Sequence, residues 1–167
     1  MAKTNLCIVA LSKQFADNVC KQLSSKLDMF YADIEEIFAY DLIDIGKVEK
    51  VCGIDYLEKE KKSIIKRVCG YENTLVNIDY ILLNNEEILN IIKSTCVIVY
   101  LQMNSENYNV QQQNENLSNN MISINNDVFN ERDILLCTES DIIVDVNCIE
   151  KNKIINVIFE KILKYYS

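Results

Sequence analysis

The turn ALSKQFADN, from Ala10 to Asn18, is the first stretch of this sequence whose residue types and placing could do chemistry. It begins in a continuous apolar run, NLCIVAL at 5–11, and leads into Val19, Leu23 and Leu27 at helical spacing. A turn between a buried strand and a helix is where an open α/β sheet offers backbone amides and a helix N-terminus to a ligand. A turn built for phosphate reads GxxxxGK[ST]. The glycines let the backbone close on the phosphates, the lysine neutralises charge, and the hydroxyl holds Mg²⁺. Here the turn has no glycine, one lysine (Lys13), a bulky Phe15 and an anion, Asp17. A unit repulsion at about 4 Å costs roughly 1–4 kcal/mol at surface-like dielectrics, before multiplication by phosphate charge. Asp17 itself suits a helix start, where an anion gains about 0.3–1 kcal/mol. The expectation is a phosphate site that is self-occupied or closed.

Composition removes other chemistries. There is no His, which excludes imidazole base catalysis and imidazole-dependent metal sites. Only Gly46, Gly53 and Gly70 supply glycine, none near the N-terminus, and Pro and Trp are absent. Lys and Arg number 17 against 25 Asp and Glu, a net charge of −8. No basic stripe for nucleic acid is evident, and the run Lys59–Arg67 is interrupted by Glu60 and reads as a solvated helix face. An acidic surface disfavours anionic membranes, and no apolar stretch approaches the roughly 18 residues of a span. The seven cysteines include no CxxC pair, and Cys7, Cys96 and Cys148 lie in apolar runs. They read as reduced thiols in a cytoplasmic protein without a structural zinc or other metal site.

The elements that must position these residues alternate. NLCIVAL reads as a strand buried on both faces and 16–28 as an amphipathic helix. MFYAD at 29–33 is a short strand. Residues 34–70 are helical, with breaks around Asp41–Leu42 and Gly53. TLVNID at 74–79, CVIVYL at 96–101 and DIIVDV at 141–146 are strands, separated by a helix at Glu86–Lys93 and followed by one over 150–166. Strands alternating with helices specify βαβ units and a parallel sheet covered on both faces. Residues 102–127 are rich in Asn and Gln and lack Lys and Arg, so they read as a lid-like excursion from a single domain over 1–167.

Taken in order, these stretches resemble the shikimate kinase family, small kinases that phosphorylate shikimate with ATP. NLCIVAL and VCKQLSSKLDMFYADIEE are similar to that family's first strand, first helix and a second strand ending in Asp-x-Asp. CGIDYLEKEKKSIIKRV resembles its G-x-x-(Y/F)-(F)-R-x-x-E helix, and CVIVYL the strand before its lid. NERDILLCTESDIIVDV resembles its E-R-x-P-L-Y-x-x-x-A-D-x-x-V-D segment. The resemblance implies a three-layer α/β/α sandwich with a five-stranded parallel sheet in the order 2-3-1-4-5.

It also implies roles. On the phosphate-loop pattern, Ala10 and Phe15 stand for the two glycines, Ala16 for the lysine and Asp17 for the Ser/Thr, with Lys13 the one cation nearby. Glu58 stands for a substrate-binding Arg, and Asp79, Tyr80 and Ile81 for a triple-glycine loop. The lid's nucleotide-contacting arginines have no counterpart in 102–127. Asp33 matches the first Asp of Asp-x-Asp, a vestigial catalytic position. Glu35 stands at the second, substrate-binding position, and Arg132 matches the Arg that binds the substrate carboxylate. Read without the resemblance, Asp33 and Glu35 are helix-start acids, and Arg132 lies on a helix face beside Glu131 or Asp133. Tyr80 either meets a ligand in the old crevice or fills that crevice as core. The expectation is a catalytically inactive, binding protein with no cofactor, whose partner is a protein or a small carboxylate near Arg132. The other reading is a divergent small-molecule kinase using ATP and Mg²⁺, with Lys13 replacing the lost lysine.

Overall fold

A computed structural model describes residues 3–109, 126–147, 149–150 and 152–167. Five strands form one parallel sheet: β1 (Asn5–Val9), β2 (Phe30–Asp33), β3 (Thr74–Asn77), β4 (Cys96–Gln102) and β5 (Ile142–Asp145), in the order β2-β3-β1-β4-β5. This is the expected order. Every residue of β1 and β3 is buried, as continuous apolar strands between two helix layers require.

The direction of travel across the sheet reverses after β2. Right-handed crossovers then place α1 (Lys13–Leu27) on one face and α4 (Ile54–Cys69) with α5 (Glu86–Thr95) on the other. The C-terminal helix, α7 (Ile154–Tyr166), packs beside α1 and β5. Two shorter helices, α2 (Ile34–Leu42) and α3 (Ile45–Cys52), bridge β2 to α4 and break where the sequence placed breaks. Asp44 caps α3 by accepting from the Lys47 amide at 2.9 Å, and Gly53 separates α3 from α4 at φ 87°, a left-handed backbone that favours glycine. The core runs through both faces, with Leu6, Ile8, Leu23, Ile65, Leu75 and Ile98 among its largest fully buried side chains.

Some boundaries move. Helix α1 begins at Lys13, one turn before the expected start, because Ser12 caps it: the Ser12 hydroxyl accepts from the Phe15 amide at 3.3 Å. The closing helix begins at Ile154 rather than 150. A 3-10 turn, Tyr80–Asn84, and α6 (Asn126–Glu139) are additional elements. Of the expected excursion at 102–127, residues 110–125 lie outside the described residues. Its first part is anchored: residues 105–109 are helical, and Tyr108 is buried with its ring 5.4 Å from that of Phe129 on α6.

The two sheet edges differ. On β5 the Ile143 carbonyl accepts a hydrogen bond from Lys161 Nζ at 2.8 Å. On β2 the edge residue Phe30 is 74% exposed. Six described cysteines are free, and burial pushes the Cys7 and Cys20 thiols well up, which keeps them protonated. No helix among the described residues is long and apolar enough to cross a membrane.

Candidate functional site

The carboxyl ends of β1, β2 and β3 converge on the turn that runs from Ala10 into the head of α1. Between β1 and α1 stand only Ala10, Leu11 and Ser12, all buried. Beyond them Phe15 packs on the core, and Ala16 is wholly buried. The position that the resemblance equates with a phosphate lysine therefore faces the protein interior.

Helix α1 and β2 carry the charged groups. Tyr31 and Asp33 are two residues apart on β2 and project to one side, toward α1. The β2–β3 register sets Asp33 opposite Asn77, so their side chains meet. Asn77 Nδ2 donates to Asp33 Oδ2 and to the Tyr31 hydroxyl, both at 3.3 Å. The Tyr31 hydroxyl donates to Asp17, which also accepts from Lys21 Nζ at 2.8 Å. Burial pushes Asp17 up, but the hydrogen bonds from Lys21 and Tyr31 outweigh it and hold the carboxyl below its usual 3.8. Burial and the Asp17 bond push the Tyr31 hydroxyl far above its usual range, so it stays a donor.

Asp33 is only 6% exposed and is fully engaged. Its Oδ1 caps α2 by accepting from the Glu35 and Glu36 amides at 2.9 and 3.2 Å. Lys13 Nζ lies 3.9 Å from the same oxygen and forms a close ion pair with Glu35. Lys13, Asp17, Asp33 and Glu35 thus form one cluster at the head of α1, joined by Tyr31 and Asn77, which the sequence analysis did not single out. The Oδ1 of Asn77 is a buried acceptor without a partner among the described residues.

Arg132 is not part of that cluster. It reaches from α6 to Tyr80, donating to the tyrosine hydroxyl, with its guanidinium 5.0 Å from the ring centre. Neither Glu131 nor Asp133 pairs with it. Asp133 accepts instead from the Tyr100 hydroxyl at 2.7 Å and from Gln102 Nε2. Among the described residues Arg132 has no carboxylate partner, and no contact joins it to Glu35 or Asp33. Tyr80 is 9% exposed and belongs to the core while holding Arg132. Burial pushes its hydroxyl up against the opposing pull of Arg132. Asp79 caps the 3-10 turn through the Ile81 amide at 2.9 Å, and Glu58 pairs with Lys61 on its own helix at 3.0 Å.

This backbone has close counterparts among solved structures. Shikimate kinase from Acinetobacter baumannii, in complex with shikimate, superposes with a TM-score of 0.77 at 14% identity, covering 98% of this chain and 94% of that one. Shikimate kinases from Aquifex aeolicus (TM-score 0.71, 18% identity, 97% and 98% covered) and Bacteroides thetaiotaomicron (0.75, 11%, 99% and 99%) match equally fully. The chain has a shikimate kinase-like fold. No family model matches it, and no curated protein does. Within this shikimate kinase-like fold, the cluster around Lys13 lies at the first strand-to-helix turn, and the Tyr80–Arg132 pair spans the loop after β3 and the helix before β5. No group of three or more Cys, Asp or Glu among the described residues is arranged to hold a metal ion.

Proposed function

We propose that this chain is a catalytically inactive protein of shikimate kinase-like fold, a pseudoenzyme that acts by binding a partner protein or a small carboxylate rather than by transferring phosphate. The observation that carries the reading is the turn between β1 and α1. A phosphate cradle needs several exposed backbone amides aimed at one point. Here Ala10, Leu11 and Ser12 are buried, and the Ser12 hydroxyl already takes the Phe15 amide. The charges support the same conclusion: Lys13 is held by Glu35 and Asp33, and Asp17 sets an anion beside the place a polyanion would occupy. Residues so engaged do not fit a triphosphate with Mg²⁺. Arg132 supports the carboxylate arm of the reading, because its guanidinium is oriented by Tyr80 and has no acid partner among the described residues.

Thermal unfolding with and without Mg·ATP tests the inactive reading. A nucleotide at about 100 times its Kd stabilises by about 2.7 kcal/mol. For a domain of this size that is a rise of roughly 5–10 °C in Tm. The expected result is no rise with Mg·ATP, alone or with shikimate. A saturable rise with Mg·ATP would overturn the proposal and favour a divergent kinase, in which Lys13 must leave Glu35 to meet phosphate.

A further inference from the structure

Away from that crevice, a pocket of about 490 Å³ opens beside the edge strand β2, on the face that carries α4. Ile37 of α2 and Val68 of α4 give it apolar walls, and Phe30 and Tyr71 add two aromatic side chains, while Tyr31 borders it with its hydroxyl turned away toward Asp17 on α1. Phe30 and Tyr71 are 74% and 59% exposed, so two rings stand at its rim with little packed on them. The one ionised side chain in its lining is Glu72. No lysine or arginine among the described residues pairs with Glu72. Arg67, the nearest basic residue along α4, is held by Asp41 instead.

Each part selects for the same kind of ligand. Apolar walls gain by covering an apolar body. Aromatic faces attract a cation held over them. A carboxylate with no cationic partner among the described residues, in a chain of net charge −8, attracts a cation and repels an anion. The volume decides the size, since pockets of about 300–1,000 Å³ hold small molecules. A second copy of this chain is a poor occupant, because it would bring another Glu72 and another excess of eight negative charges to the same edge.

We propose that this pocket binds a small organic cation, an ammonium group carried on an aromatic or alkyl body. Such a ligand is opposite in charge to a nucleotide or a carboxylate, and the proposal does not depend on what the cluster around Lys13 binds.

Benzyltrimethylammonium chloride is a suitable probe, titrated into the isotopically labelled protein and followed by backbone amide NMR, with neutral benzyl alcohol as comparator. Saturable shifts are expected at residues 30–37 and 68–74, with benzyl alcohol at least about five-fold weaker because it lacks the charge. Glu72→Gln and Phe30→Ala, both at exposed positions, should each weaken binding of the cation by about five-fold while leaving the remaining amide spectrum in place. The proposal is overturned by an absence of saturable shifts, by equal binding of benzyl alcohol, or by a Glu72→Gln protein that binds like the parent. A dimer in sedimentation that Phe30→Ala converts to monomer would overturn it as well, since a second copy would then cover the pocket.

Discussion

Asp33 carries more of this site than any other residue. One oxygen caps α2, the other accepts from Asn77, and Lys13 lies alongside. Removing a cap costs about 1 kcal/mol, and stranding a buried amide donor costs about 1–3 kcal/mol more. Asp33→Ala should therefore lose roughly 2–4 kcal/mol in urea unfolding. A loss under about 0.5 kcal/mol, the usual size at a surface site, would mean that the network contributes little. The sequence marked Asp33, Glu35, Lys13 and Asp17 as the residues to watch, and the reading of Asp33 as a helix-start acid describes its place. It did not mark Tyr31 or Asn77. Asn77 lies 44 positions from Asp33, and only the pairing of β2 with β3 brings them together. Arg132 makes the same point. Local spacing pointed to Glu131 or Asp133, yet its partner is Tyr80, 52 positions away.

At the level of elements, the decisive feature is where α1 begins. Ser12 sets the start at Lys13, and that phase turns Ala16 wholly inward. Putting the lysine of a phosphate turn back at position 16 would bury its charge rather than offer it to a ligand. Ala16→Lys should lower stability by more than about 2 kcal/mol without creating Mg·ATP affinity, as read by thermal unfolding with and without nucleotide. A variant that keeps its Tm and gains a nucleotide shift would show that α1 rephases easily. Helices with one apolar stripe, such as α1 and α5, were readable from spacing alone. Helix α6 was not, because the face that carries Phe129 and Leu136 also carries Arg132 and Glu139, which breaks its apolar stripe. Its burial is instead local, through Phe129 on Tyr108 and Leu136 in the core. The 3-10 turn at Tyr80–Asn84 escaped for a related reason: it is held by the Asp79 cap rather than by a periodic pattern.

Across the whole molecule, the sheet ranks its own strands. β1 is bonded on both sides, to β3 and β4, whereas β2 is bonded on one. In native-state hydrogen exchange the amides of β1 and β4 should open only with global unfolding, and those of β2 at least about ten-fold faster. Equal protection across the sheet would contradict that ranking. Five runs of apolar residues were enough to count the strands, but their lateral order came from the resemblance, since apolar runs do not encode neighbours. The lysine contact on β5 has a consequence for crowding. Strand-by-strand growth into a fibre requires two open flanks on every subunit, one to receive and one to offer. Lys161 takes up the Ile143 carbonyl on one of those flanks and sets a charge beside it. A lysine on an exposed sheet edge disfavours strand addition there, so a single side chain on the last helix makes β5 a poorer end than β2 for growth by stacking.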